Sequence, residues 1–260
     1  MSKKHMSLNL GDLTTTDLNH FLKSADRPVL LWPVGSTEPH GPHLPLATDI
    51  ILARQNALEA ARTLRTMEID ALVAPDLPYG VTDFAAGFTG AISIPEDTLV
   101  DFIVAAAETF LRDGFAHVCL INHHLEPGQL SALQRAHDRI ASTAGAAAIS
   151  FPQVVSRRWG AQLGDEFRSG ACHAGAYEGS LVIAATPDLF RKDRATELPQ
   201  VNVSLSKAIK AGQNSFLEAG ADAAYTGSPN RASAEEGKRL YAILTTMVVT
   251  EVKEHLEQLS

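Results

Sequence analysis

Short apolar runs alternate along this chain with longer stretches of helical periodicity, and that alternation limits the fold more than any other feature. Residues 27–34 read as a short buried strand. Residues 49–64, rich in Ala and Leu, read as a helix with Asp49 in its first turn. A second apolar run, Ala71-Leu72-Val73-Ala74, closes at Pro75. Pro95, Glu96 and Asp97 open another helix, because proline at the first position and acids in the first turn suit a helix N-terminus; Gly114 should stop it. The pattern then gives a strand over 117–121, a helix over 127–144, a strand over 146–151 and a long final helix over 234–257. Strands separated by helical crossovers require a mainly parallel sheet with helices on both faces, so the expectation is a single α/β domain spanning 1–260. Residues 198–226 are the least regular stretch and read as a loop or lid.

In such folds sites form beyond the carboxyl ends of the strands, and two polar clusters fall there. The first, Glu38 to Asp49, packs Gly, Pro, His and acid directly after the first strand. Glu38 and His40 lie two apart and can face one point in an extended segment, and a compact loop can return Asp49 to them. The second is Asn122-His123-His124-Leu125-Glu126, where His124 and Glu126 repeat the two-apart spacing. Together the clusters offer three carboxylates and two imidazoles, donors that Zn²⁺, Mn²⁺ or Fe²⁺ accept. Five protein ligands exceed what one catalytic metal needs, but suit two metals that share a carboxylate. His123 reads as a packing residue or one that orients a ligand. A third cluster runs from Cys172-His173 to Glu178. His173 would suit proton delivery to a leaving nitrogen, and Glu178 would orient a ligand or close a helix cap.

Bulk properties exclude other classes. A net charge of −8 favours neither nucleic acid nor an anionic membrane, which need concentrated Lys and Arg. No apolar stretch approaches the length that spans a bilayer. Met1 to Leu8, with Lys3, Lys4 and His5, does not read as a signal peptide. The two cysteines, Cys119 and Cys172, read as reduced thiols rather than a disulfide framework. A soluble cytoplasmic protein is the expectation.

Several motifs in order resemble the creatininase (creatinine amidohydrolase) family: Glu38-x-His40-Gly41-x-His43-Leu44-Pro45 with Thr48-Asp49, Tyr79-Gly80-x-Thr82, Phe88-Thr89-Gly90-Ala91-Ile92-Ser93, Asn122-x-His124, and His173-Ala174-Gly175-x-x-Glu178. The resemblance implies a single α/β domain, two divalent ions (zinc or manganese, with iron also acceptable) and homo-oligomers, frequently hexamers. Carried over residue by residue, it places Glu38 and His124 on one metal, His40 and Glu126 on the other, and Asp49 between them. It also puts Thr82 and His173 near the substrate. Departures are clear. His123 replaces the family's usual glycine, and Leu125 stands where creatininase itself has a tyrosine. Ser169 and Gly170 occupy the region of its substrate-covering tryptophan, Trp159 being the nearest here. The metal ligands therefore transfer and the creatinine pocket does not.

The expected reaction is hydrolysis of a C–N bond in a small polar substrate (an amide, lactam or formamide) by a metal-bound hydroxide. Glu126 and His173 are the expected catalytic residues, with Thr82 and Leu125 lining the substrate site. Two other readings compete: hydrolysis of a C–C bond in a cyclic ketone of keto-inositol type, and a non-catalytic binding protein on the same scaffold.

Overall fold

In the computed structural model, which describes residues 6–259, the apolar runs form Val29–Val34 (β1), Ala71–Val73 (β2), His117–Asn122 (β3) and Ile149–Ser150 (β4). All pairings are parallel, in the order β2-β1-β3-β4. Lys3, Lys4 and His5 of the N-terminal segment lie outside the described residues. The helices are Thr15–Ser24 (α1), Thr48–Thr66 (α2), Glu96–Asp113 (α3), Pro127–Ala144 (α4), Arg157–Gly160 (α5), Asp165–Ser169 (α6), Ala176–Ala185 (α7), Lys192–Glu197 (α8), Leu205–Lys210 (α9) and Ala234–Gln258 (α10). Among the described residues no helix is long and apolar enough to cross a membrane.

Strand side chains alternate between two cores, as a two-residue period requires. Val29, Leu31, Cys119 and Ile121 join a cluster with α2, α7 and α10. Leu30, Trp32, Val34, Val118 and Leu120 join another with Phe21 of α1 and the inner faces of α3 and α4. The sheet is thus covered by helices on both faces, as the alternation predicts. Local signals set the helix ends. Thr14 and Asp17 form a capping box on α1, Gly114 ends α3 in the left-handed conformation, and Pro127 starts α4. Of the strand expected over 146–151, only Ile149 and Ser150 pair; Ala146–Ala148 close into a 3₁₀ turn instead.

Pro33 sits inside a central strand, where a missing N–H is normally costly. Its carbonyl accepts from the Leu77 N–H, past the end of β2. Its nitrogen therefore faces a side on which the ladder has already stopped.

Two features of the topology position the site. β1 and β3 pair in register to their last residues, Val34 opposite Asn122, so the segments leaving them emerge side by side. The neighbour after β1 in sequence, β2, lies on one side, while β3 lies on the other. That reversal opens a crevice at the carboxyl ends of β1 and β3.

Candidate metal centre

Both polar clusters enter this crevice. The exit from β1 turns back sharply enough that a Cβ on Gly35 would stand 3.0 Å from Ile50 N and 3.1 Å from Asp49 Cβ. Glycine there lets the first turn of α2 close against the strand end, which brings Asp49 beside Glu38 and His40. After β3, Asn122 folds the chain over itself: its Nδ2 donates to His124 O at 2.6 Å, and its Oδ1 accepts from Gln129 Nε2 at 3.2 Å. His124 is thereby presented towards the β1 loop.

Each of the two central imidazoles is anchored by one nitrogen to a backbone carbonyl. His40 Nδ1 is 3.1 Å from Glu38 O, and His124 Nε2 is 2.6 Å from Val81 O. A carbonyl only accepts, so those nitrogens carry protons and, in the neutral rings, the opposite nitrogens present lone pairs. His40 Nε2 faces Asp49 Oδ1 at 3.1 Å and Glu178 Oε2 at 3.5 Å. His124 Nδ1 faces Glu38 Oε1 at 3.1 Å and Asp49 Oδ2 at 3.2 Å. Asp49 Oδ2, though that close to the ring, accepts no well-directed hydrogen bond.

Lone pairs converging on carboxylates in a buried site need a cation among them, because unpaired buried charge costs several kcal/mol per ion. Burial opposes the charged form of His40, yet Asp49, Glu178 and Glu38 outweigh it and raise its pKa to about 10. His124 is pushed well up against the same burial, by Glu38 and Asp49. Glu178 is pushed up to about 8, chiefly by burial and then by the neighbouring acids, with His40 opposing. The donor set therefore fits divalent cations, which would replace those protons.

Three donor groups stand out, each with its atoms within 4.8 Å of one another: Glu38, His124 and Glu126; His40, Asp49 and Glu178; and Glu38, His40 and His173. The resemblance pairs Glu126 with His40. The geometry instead sets Glu178 beside His40, and Glu126 on the far side of His124, its Oε2 3.7 Å from Nε2. The carboxyl group of Glu126 accepts backbone N–H bonds from Asp83 at 2.9 Å and Phe84 at 3.2 Å. Burial nonetheless raises its pKa to about 7.

The His173 ring is tilted against His40, centroids 4.3 Å apart, and stacked on Phe216, at 4.4 Å. Its Nε2 is 2.9 Å from Pro39 O and its Nδ1 3.8 Å from Glu38 Oε1. Burial, reinforced by His40, lowers its pKa to about 4. His123 lines the same cavity and lies 3.2 Å from Asn56 Nδ2 of α2, outside the donor groups. Leu125 also lines it. Thr82 is not in the lining; its hydroxyl turns back towards Gly80 O, 3.5 Å away. Cys172 is part of the wall and partly exposed, but burial of its sulfur raises the thiol pKa to about 12, so it is a poor nucleophile.

Sequence reasoning missed Glu166 of α6. Its carboxylate accepts from Tyr177 N at 2.9 Å and Ser228 N at 2.8 Å, tying the first turn of α7, and hence Glu178, to the segment after Thr226. The available signal was a set of glycines: Cβ atoms on Gly175 or Gly227 would collide with this carboxylate.

Comparison with known proteins places this centre in context. The creatininase family model, described as creatinine amidohydrolase, matches residues 11–252. The chain is 28% identical over 246 residues to mycofactocin precursor peptide peptidase of Mycolicibacterium smegmatis, covering 94% of this chain and 90% of that one. It is 26% identical over 208 residues to creatinine amidohydrolase of Pseudomonas putida (74% and 77% covered). To 3-dehydro-scyllo-inosose hydrolase of Thermotoga maritima it is 25% identical over 195 residues (71% and 58%). A structure of manganese creatininase superposes with a TM-score of 0.72 at 22% identity, covering 96% of this chain and 98% of the other.

Proposed function

Because the chain belongs to the creatininase family of hydrolases, we propose that it is a binuclear metal-dependent enzyme that cleaves C–N bonds of the amide type. The observation that carries this reading is the pair of anchored imidazoles whose free nitrogens face Glu38, Asp49 and Glu178 in one buried cluster. Glu38, His124 and one oxygen of Asp49 would hold the first ion; His40, Glu178 and the other Asp49 oxygen would hold the second. Manganese and zinc–zinc creatininase structures are among the fold neighbours, which supports manganese or zinc in that role. Bound there, the ions would supply Lewis acidity and bring the pKa of water towards 7.

The remaining work falls to this chain's own side chains. Glu126, held by two backbone N–H groups at the edge of the donor cluster, takes the proton of the attacking water. His173, fixed by Pro39 O and by its two ring neighbours, turns the lone pair of Nδ1 towards the cluster, takes up there the proton that came from the attacking water and passes it to the departing nitrogen. Leu125 and the surrounding walls exclude bulk water. The names peptidase and amidohydrolase among the relatives support a C–N target, and a cavity poor in polar walls offers little to the hydroxyls of a keto-inositol. Homo-oligomeric assembly is part of the same reading, checked by sedimentation.

The test is amine or ammonia release from a panel of formamides, lactams and short peptides, with chelator-stripped and Mn²⁺- or Zn²⁺-loaded protein. Turnover that appears only after loading is expected. Loaded protein inert towards every C–N substrate would overturn the proposal.

A further inference from the structure

The cavity above the donor cluster changes character abruptly. Its floor carries carboxylates and imidazoles, whereas much of its wall is Phe84, Leu125, Val155, Leu205, Ile209 and Phe216, and none of the lining residues is Lys or Arg. This wall is built, not incidental. Phe84, Leu205 and Phe216 belong to a hydrophobic cluster of their own, separate from the two sheet cores, with Ile209 packed against it. The Phe216 N–H donates to Phe84 O at 3.0 Å, and the two rings meet edge to face at 5.0 Å. Leu205, at the start of α9, is held by its N–H to Gly170 O. Phe216 stacks on His173, so the apolar wall begins where the leaving group would be protonated.

We propose that this enzyme selects amides whose scissile bond is flanked by an uncharged aliphatic or aromatic group, seated against Leu125, Leu205, Ile209 and Phe216. The proposal rests on the hydrolase reading and replaces the small polar substrate expected from the sequence. An apolar group in contact with this wall gains from leaving water. A charged group in the same place loses its hydration; an anion finds no Lys or Arg in the lining, and a cation finds carboxylates only on the floor.

The experiment uses the full chain loaded with Mn²⁺ and the N-acetyl amides of glycine, leucine, phenylalanine, glutamate and lysine. Ammonia and acetate release are both followed, and binding of each compound is measured by calorimetry. Leucine and phenylalanine amides should exceed the glycine amide by about 10–100-fold in kcat/KM, with the glutamate and lysine amides below it. Ile209→Ser and Leu205→Ala should move the leucine-to-glycine ratio towards one, mainly through KM. Ile209 is only partly buried, so its variant keeps the test alive if Leu205→Ala does not fold. Turnover with a flat or reversed ranking would overturn the proposal and leave the hydrolase reading standing. If no amide turns over, the binding ranking decides: apolar compounds bound more tightly would support the wall and sink the hydrolase reading, and an unranked series would sink the wall.

Discussion

The floor and the wall of the cavity are made in different ways. Glu38, His40, Asp49, His124 and Glu126 sit on two strand exits that the parallel register delivers side by side. Phe84, Val155, Leu205 and Phe216 come from separate loops and short helical turns. The floor is therefore encoded by short spacings next to recognisable strands, and the wall by contacts between stretches with no periodicity. On the proposed reading the first would set the chemistry and the second the choice of substrate, so that a chain could keep its reaction while changing its substrate.

Within the floor, the sharpest comparison is between Glu126 and Glu178. Glu126→Gln should retain metal and lose about 10²- to 10⁴-fold in kcat, the usual range for a group that moves a proton. Glu178→Ala should lose metal as well as activity. Elemental analysis alongside kinetics checks both, and equal metal loss in the two variants would erase the distinction. The floor should also titrate on loading. Because His40 and His124 hold protons against burial, adding Mn²⁺ or Zn²⁺ to stripped protein near pH 7 should release protons, measurable with an indicator dye in weak buffer.

The wall is expected to contribute stability as well as selectivity. Phe216 is buried against Phe84 and His173, so Phe216→Ala should cost about 3 kcal/mol in denaturant unfolding. A loss near zero would mean that the wall is not a packed unit. The smallest effect lies far from both regions. His117 on β3 is buried with Nδ1 2.8 Å from Ala147 O and Nε2 2.8 Å from Ser150 Oγ. Burial holds its pKa down at about 4. The unfolded chain takes up the proton first, near pH 6.5, so His117's contribution is complete above that pH and is lost as pH falls towards 4. Between pH 6.5 and 5.5 the loss should be about 1 kcal/mol, and His117→Gln should show a shallower fall in stability over that range.

Much of the fold was legible. The helix expected over 127–144 is the helix observed, and the strand over 117–121 differs by one residue. Helix α1 was overlooked although Thr14 and Asp17 carried a capping signal. Of the candidate site, the donors from the strand exits could be read because two-apart spacing means something in extended chain. Glu178 could not be assigned from its spacing to His173, since Ala174 takes a left-handed conformation at φ 53° before α7 begins. That turn aims Glu178 at His40 while its Oε2 also accepts the Ala174 N–H. The role of 198–226 was hidden for a different reason: α9 and Phe216 acquire meaning only by packing on Phe84 and His173, more than thirty residues away in sequence.

If Asp49 joins two ions in one centre, the metal content of each chain will show it. Elemental analysis of protein purified without chelator, in parallel with Asp49→Ala, should give about two divalent ions for the natural chain and nearly none for the variant. One ion or none in the natural chain, unchanged by added Zn²⁺ or Mn²⁺, would contradict the account.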